Sequence, residues 1–367
     1  MRIVNVIQCT NLGGMEQASL RLMTALRARG HDLHLLSLNR IGALGPLLDA
    51  AGISAHGFDY AGNGAAKTLL ELRRVLATEP ADALIVTGHN LAAFLALGKA
   101  CRGHRVFAMH FHHEGVMPDW RWRLLYRVAR SRFQTITFPS DYVRQEAEAI
   151  APFIKPLTAT LRNPLETPEP PSMALRNQFR SEIGVAPDAP LIGNAGWLIP
   201  RKRFDVFLDT AALIAKARPD ARFVIAGDGE LRRALEQQAE DLALTDRLVW
   251  VGWQKDMRSF YSAIDVLLFN SDWDAFPTTP VEAMSHGVPV VASLLHGGLG
   301  EVLDGTCGWF FENHDTGMLA QATVEALTPV GAERAAKAAI RIGEISNPRS
   351  IAETMERYLL GENPCRN

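Results

Sequence analysis

"DVLLFNSDWDAFPTTPVEAMSHGVPVVAS" runs from Asp265 to Ser293. It opens on a short apolar run, "DVLLFNS", and closes on another, "VPVVAS". Both runs are strand-length and rich in Val, Leu and Phe, so both are expected to be buried strands. Between them, Pro280-Val281-Glu282-Ala283-Met284 has the pattern of the first turns of a helix, with Thr279 as its cap. A strand, a helix and a second strand in so short a span make a parallel pair with a crossover helix.

The same alternation extends in both directions. Toward the N-terminus the strand candidates are "RIVNVIQ", "HDLHLLSL", "DALIVTG", "RVFAMHF" and "QTITFP". The first is followed by an amphipathic helix, "GGMEQASLRLMTALRARG", ending at Gly30. Composition then changes: "RNPLETPEPPSM" is rich in proline and acid, as linkers are. A second series follows: "PLIGNAGWL", "RFVIAGDG", "RLVWVGW" and the opening pair. The pattern predicts an α/β protein of two Rossmann-like, doubly wound domains facing across a cleft. The expected boundaries are 1–165, a linker and connecting helix over 166–189, and 190–349, with a last amphipathic helix from Ser350 to Leu360.

Bulk properties narrow the function. The 367 residues, 47% of them hydrophobic, suffice for two cores. A net charge of -2 gives no global attraction for nucleic acid. The cysteines Cys9, Cys101, Cys307 and Cys365 form no CxxC pair, so neither a disulfide framework nor a zinc site is expected and a reducing cytosol fits. Met1-Arg2 leads straight into "IVNVI", which is too short for a signal peptide, and no apolar run is long enough to span a bilayer. A cytoplasmic protein is expected.

Ligands of such sheets bind beyond the carboxyl ends of the strands, so the loops there carry the chemistry. Gly13 and Gly14 permit a tight turn before a helix whose N-terminus favours an anion. "AMHFHHEG" places His110 and His112 on one side of an extended chain and His113 on the other. Histidines there suit a metal, a base, or a bond to phosphate or hydroxyl. Arg201, Lys202 and Arg203 precede a helix and suit a diphosphate. Gly227 and Asp228 end a strand in "GDGE", where glycine permits close approach of a ligand. Phe276, Pro277, Thr278 and Thr279 form a loop whose N–H groups face a ligand, flanked by the carboxylates of Asp274 and Glu282. Asp272 and Asp274 also match a DxD metal pattern, but in a different domain context from the sites that use it.

Taken together these residues resemble the retaining glycosyltransferases of family 4, with the two-Rossmann GT-B architecture, over nearly the full length. The family's E-x(7)-E element, in a context such as "EGFPxxxxEAMAxGxPVVAS", is matched by "DAFPTTPVEAMSHGVPVVAS". "GGLGEVL" with Glu301, "GTCGWFF", "GGMEQASLRLMTAL", "GDGE" and "LRNPLE" match further elements. The resemblance implies that Glu282 bonds the nucleotide ribose and that Asp274 contacts the donor sugar. It assigns Phe276 to Thr279 to the sugar and phosphate, and Lys202 to the diphosphate. His110 or His112 would lie near the sugar, and Gly14 near the distal phosphate. The last helix is expected to cross back to the first domain. Two positions depart from the family pattern: Trp197 stands where an arginine is usual, and Asp274 where a glutamate is usual.

The implied reaction moves a hexose-type sugar from a nucleoside-diphosphate sugar to a glycan or lipid-linked acceptor, with retention and with neither metal nor cofactor. Two other readings compete: a non-catalytic nucleotide-sugar-binding partner subunit and a nucleotide-sugar epimerase. Finally, "DWRWRLLYRVARSRF" (Asp119–Phe133) combines Arg123, Arg127 and Arg130 on one helical face with Trp120, Trp122, Tyr126 and Phe133. Basic residues with interfacial aromatics suit an anionic membrane surface.

Overall fold

The computed structural model describes residues 1–11, 13–97, 101, 103–110, 117–166, 172–254 and 256–362. It divides into two compact units: Met1–Glu166 with Ser346–Asn367, and Thr167–Ile345.

The first unit holds a seven-stranded parallel sheet of β1 (Arg2–Ile7), β2 (Asp32–Ser37), β3 (Ser54–Gly57), β4 (Ala83–Thr87), β5 (Arg105–Ala108), β6 (Thr135–Phe138) and β7 (Thr158–Thr160). Their order is β3-β2-β1-β4-β5-β6-β7. β1 lies inside the sheet, pairing Ile3 with Leu33 on one side and with Ala83 on the other. Helices cover both faces of such a sheet, so Ile3 to Ile7 are all buried, Asn5 included.

The second unit repeats the plan in six parallel strands: β8 (Leu191–Ala195), β9 (Arg222–Ala226), β10 (Leu248–Gly252), β11 (Val266–Asp274), β12 (Val290–Gly297) and β13 (Trp309–Phe311). Their order is β10-β9-β8-β11-β12-β13. Strand order reverses between β1 and β4 in one unit and between β8 and β11 in the other. The strand ends at these switch points are where a ligand can settle.

Three strands lack a signal in the sequence: β3, β7 and β13. All three are edge strands of three or four residues. An edge strand is paired on one side only, and so short a segment shows no period.

The helix Pro348–Leu360 belongs to the first unit. The Asn347 side chain caps it, accepting from the amides of Arg349 (3.0 Å) and Ser350 (3.2 Å). Gly361, at φ +90°, ends it in the left-handed conformation. Ile351, Ala352, Met355, Tyr358 and Leu359 are buried in that unit's core. Burial is worth about 1.5–3 kcal/mol for each large apolar side chain, which holds this return segment in place. Arg29, just beyond the helix Gly14–Ala28, adds ion pairs to Glu353 and Glu356.

Composition predicts a linker and connecting helix over 166–189. The structure instead places the helix Met173–Glu182 inside the second unit. The cause is Arg180, a fully buried guanidinium. It donates to the carbonyls of Ala263 (2.9 and 2.7 Å) and Ala189 (2.8 Å) and pairs with Asp265 at 2.8 Å. A buried charge must be satisfied this fully, and the bonds tie the helix to the approaches of β8 (Ala189) and β11 (Ala263 and Asp265).

Candidate functional site

The carboxyl ends of β8, β9 and β11 gather most of the predicted donor-binding residues of the second unit. Pro200, Arg201 and Lys202 form one short 3-10 turn. It is pinned to the end of β11 from several directions. Ser271 Oγ donates to the Arg201 carbonyl at 3.0 Å, and Arg201 Nη1 donates to the Trp273 carbonyl at 2.9 Å. Lys202 Nζ pairs with Asp274 Oδ2, which also lies 3.5 Å from Arg201 Nη1. One carboxylate thus holds two cations beside it. Arg203 points elsewhere: it forks onto Asp205 (3.0 and 2.9 Å) and reaches Asp272 at 3.0 Å. Its donation to the Asp205 carboxylate is the main cause that raises its already high pKa. The basic triplet therefore splits into Lys202 and Arg201 at Asp274, and an Arg203 that is used structurally.

The two aspartates of the DxD pattern do not act as a pair. Asp272 Oδ1 is taken by Arg203 and by His314 Nε2 at 3.0 Å, while Asp274 is taken by Lys202 and Arg201.

After Asp274 the chain turns through Ala275 and Phe276, both buried, into a helix over Thr278–Ser285. Thr279 does not cap it. Pro277 occupies the cap position, and no side chain caps the helix. Thr279 Oγ1 instead donates to the Ala195 carbonyl at the end of β8 (3.2 Å), tying the two strand ends together. Glu282 lies one turn on. The Tyr261 hydroxyl donates to its Oε2 at 3.0 Å. Tyr261 is itself buried and lies against the His286 ring, with centroids 4.9 Å apart. Sequence inspection misses Tyr261, because it sits in an ordinary amphipathic helix far from the motif.

The "GDGE" glycines serve a different neighbour from the one expected. A Cβ at Gly227 would stand 1.9 Å from the Gly196 carbonyl, and one at Gly229 would stand 2.6 Å from the Leu198 carbonyl. The close approach is thus of the 196–198 loop. Asp228 turns its Oδ1 onto the Gly229 amide at 2.8 Å, and its carbonyl accepts from the Leu198 amide at 3.0 Å. Trp197, where a family arginine is usual, is 49% exposed and lies against Trp253, centroids 4.7 Å apart. The additional cation near Asp274 is supplied by Arg201.

In the first unit, Gly13 precedes the helix Gly14–Ala28 and serves as its N-cap. The Glu16 carboxylate folds over it: a Cβ at Gly13 would stand 2.3 Å from Glu16 Oε2. This helix N-terminus therefore already carries an acid of its own. Cys9 Sγ donates to Glu16 Oε1 at 3.1 Å; burial and this carboxylate hold the thiol pKa up.

His110 follows β5 and lines a small cavity with Ser19, Thr87, Thr137, Arg162 and Asn163. It keeps some solvent exposure, yet protein crowds its imidazole, and desolvation pushes its pKa down to about 4. It is neutral at physiological pH. His112 and His113 lie outside the described residues.

The helix Asp119–Arg132 corrects the aromatic half of its reading. Trp122, Tyr126 and Phe133 are core residues, 0–2% exposed, and Trp120 alone of the four aromatics faces solvent, at 61%. The Trp122 ring lies against Tyr126. Arg123 Nε donates to the Ile150 carbonyl at 3.0 Å, and Arg127 sits over the Phe153 ring. Arg130 is exposed. No described helix is long and apolar enough to cross a membrane.

Two family models match this chain. "Glycosyltransferase Family 4" matches residues 12–157, and "Glycosyl transferases group 1" matches residues 189–329. Among curated relatives, the lipopolysaccharide core biosynthesis glycosyltransferase LpsE of Rhizobium meliloti (strain 1021) is 29% identical over 143 residues, 39% of this chain and 41% of LpsE. The match thus spans less than half of that relative's length. A GDP-mannose-dependent alpha-(1-6)-phosphatidylinositol dimannoside mannosyltransferase of Mycobacterium tuberculosis (strain ATCC 25177 / H37Ra) is 27% identical over 316 residues, 79% of each chain. Among solved structures, Alr3699/HepE of Anabaena in complex with UDP-glucose superposes with a TM-score of 0.85 at 21% identity, covering 98% of this chain and 100% of that one. The family matches fall one on each unit, and each unit is a parallel Rossmann-like sheet: the chain belongs to the group 1, family 4 glycosyltransferases of the GT-B class.

Proposed function

We propose that this chain transfers a hexose-type sugar, with retention of anomeric configuration, from a nucleoside-diphosphate sugar to a glycan or lipid-linked acceptor in cell-surface polysaccharide or glycolipid synthesis. One observation carries the reading: Lys202 and Arg201 converge on Asp274 at the end of β11, one loop away from a Glu282 held by Tyr261. Cations for a diphosphate and a carboxylate for a ribose are thus set at one strand end. The Anabaena neighbour was solved with UDP-glucose, which supports a nucleotide sugar as donor.

In this reading the Glu282 carboxylate accepts hydrogen bonds from the ribose hydroxyls. Asp274 keeps Lys202 and Arg201 in place until the diphosphate arrives, then turns toward the sugar. Cleavage of the sugar–phosphate bond leaves negative charge on the departing diphosphate. Lys202 and Arg201 stabilise it without a metal, and the 278–285 helix N-terminus adds its dipole. The acceptor hydroxyl attacks from the leaving-group face, and its proton passes to the departing phosphate, so no dedicated side-chain base is needed. His110, neutral, offers a hydrogen bond rather than a charge. The exposed face of the Asp119–Arg132 helix meets an anionic membrane surface, from which a lipid-linked acceptor is drawn.

The test is a thermal-shift panel of nucleoside diphosphates and nucleotide sugars, followed by a transfer assay with the stabilising donor. A true donor raises the melting temperature by mass action. Stabilisation without transfer or donor hydrolysis would favour a non-catalytic binding subunit, and isomerisation of the donor sugar would favour an epimerase.

A further inference from the structure

Behind the Lys202 turn lies a chain of polar side chains that the proposed reaction does not use. Asn270 on β11 donates through Nδ2 to Ser293 Oγ on β12 at 2.8 Å. Ser293 Oγ lies 2.7 Å from His314 Nδ1, and His314 Nε2 lies 3.0 Å from Asp272 Oδ1. The same Asp272 oxygen accepts from Arg203 Nη1 at 3.0 Å. Asp272 can only accept, so Nε2 carries a proton and donates to it, while Nδ1 accepts from the Ser293 hydroxyl, which in turn accepts from Asn270.

Serine, histidine and aspartate in sequence suggest a nucleophile, but the geometry excludes one. Ser293 is fully buried, so no substrate reaches its hydroxyl. What the row does reach is Arg203. This residue has φ 45° and ψ 45°, the left-handed region that a non-glycine side chain seldom occupies. It closes the turn Pro200–Lys202 and opens the helix Phe204–Ala217. Such a conformation persists only where its surroundings over-determine it. Here they do so through Asp205 on one side of the guanidinium and Asp272 on the other. His314 is in turn fixed by the chain around it. Phe311 of β13 is in register with Ser293, and Asp315 caps the next helix by accepting from the Met318 amide at 3.0 Å.

We propose that His314 is a positioning residue for Lys202: acting through Asp272 and Arg203, it holds the strained turn that presents the leaving-group cation. His314 touches no substrate itself. The catalytic consequence rests on the transferase reading above, whereas the mechanical link from His314 to Lys202 does not. If the turn is held, the Lys202 amine stays against Asp274 and is little exposed. If the row is cut, the turn relaxes and the amine spends more time in solvent.

The experiment measures acetylation rates of individual lysines by mass spectrometry in the full-length protein, with an N-hydroxysuccinimide ester as probe. In His314→Ala and in Asp272→Asn, Lys202 should be modified several-fold faster, with Lys216 and Lys337 unchanged. In His314→Gln, whose amide can donate to Asp272 and accept from Ser293, Lys202 should remain protected. In transfer assays His314→Ala should lower kcat about tenfold, part of the loss expected for removing the stabiliser outright, with donor KM within about twofold. Added to Lys202→Ala, it should cost nothing further. Unchanged Lys202 labelling in His314→Ala and Asp272→Asn overturns the proposal, as does a rise shared by all lysines, which marks general loosening. Should the wild-type chain bind no nucleoside diphosphate while Lys202 labelling still responds, the transferase reading fails and the positioning link stands.

Discussion

Tyr261 donates its hydroxyl proton to Glu282 Oε2 across 3.0 Å, from a helix that carries no recognised motif. The bond fixes the carboxylate before any ligand arrives. Hydrogen bonds to charged groups contribute about 1.5–3 kcal/mol, so Glu282→Ala should weaken nucleoside-diphosphate binding by roughly tenfold or more. Tyr261→Phe keeps the ring against His286 and removes only the donor. It should weaken binding by about threefold to tenfold, the effect of one ordinary hydrogen bond. Calorimetric titration with UDP and GDP checks both. Equal affinity in wild type and Glu282→Ala would remove Glu282 from the site.

Lys202 and Arg201 share Asp274, and their effects should differ in size. Lys202 is deep in the turn, with its side chain 13% exposed, whereas that of Arg201 is 41% exposed. A preorganised stabiliser in a drier place is worth more. Lys202→Ala should lower kcat by about a hundredfold, the scale of losing one such group. Arg201→Ala should lower it less. Trp197→Arg should leave activity in place, since Arg201 already supplies the second cation. Near-normal turnover in Lys202→Ala would move the diphosphate site elsewhere. Added chelator should change nothing, and a loss of activity rescued by manganese would argue for a metal at Asp272 or Asp274.

The alternation of strands and helices was legible because central parallel strands are apolar throughout, and their runs stand out in any window. The motif from Asp274 to Glu282 was legible because it is contiguous. What could not be seen is what folding alone assembles. Tyr261 meets Glu282 from 21 residues away, and His314 meets Asp272 from 42. Neither pair has a spacing signature. The glycines of "GDGE" could be seen as needing room, but the neighbour they make room for is the 196–198 loop, which only the fold brings near. Trp122 and Tyr126 look interfacial in sequence, yet their rings fill the core, since aromatic type alone does not tell which side of a helix is covered.

His110 should make the first unit sensitive to mild acid. Its pKa is about 4 in the fold, against an ordinary 6.5, because burial disfavours the charged ring. The proton therefore binds the unfolded chain more readily. The contribution to stability is full above about pH 6.5 and is lost as pH falls from there toward 4. Between pH 7 and 5 this amounts to roughly 2 kcal/mol. His31 and His89, also lowered chiefly by burial, act in the same direction. Comparing wild type with His110→Gln isolates the one ring. The melting temperature of the variant should fall less between pH 7 and 5, and parallel pH profiles would show that His110 titrates normally.

The Asp119–Arg132 helix arranges its exposed side chains in an order that suits a lipid surface. At about 100° per residue, Trp120 and Leu124 lie in the middle of the exposed arc, with Arg123, Arg127 and Arg130 along one side and Arg121 on the other. Trp120 is 61% exposed and Leu124 45%, although Trp122, Leu125 and Tyr126 on the same helix are buried. An apolar centre flanked by arginines can insert shallowly while its charges meet lipid phosphates. Each Lys or Arg near an anionic surface contributes about 1 kcal/mol, so the binding should be peripheral and salt-sensitive. Arg123 is the exception, because its Nε is committed to the Ile150 carbonyl and replacing it would disturb the fold. The informative variants are therefore Arg127→Glu with Arg130→Glu, and separately Trp120→Ala. Wild type should cosediment with vesicles containing anionic lipid and only weakly with neutral ones. The double charge reversal should abolish this binding at low salt, and Trp120→Ala should weaken it even where the charge attraction remains. Nucleoside-diphosphate affinity, which belongs to the other unit, should be unchanged in both. Equal binding to neutral and anionic vesicles, or none at low salt, would assign the helix to its own domain's packing and the acceptor to solution.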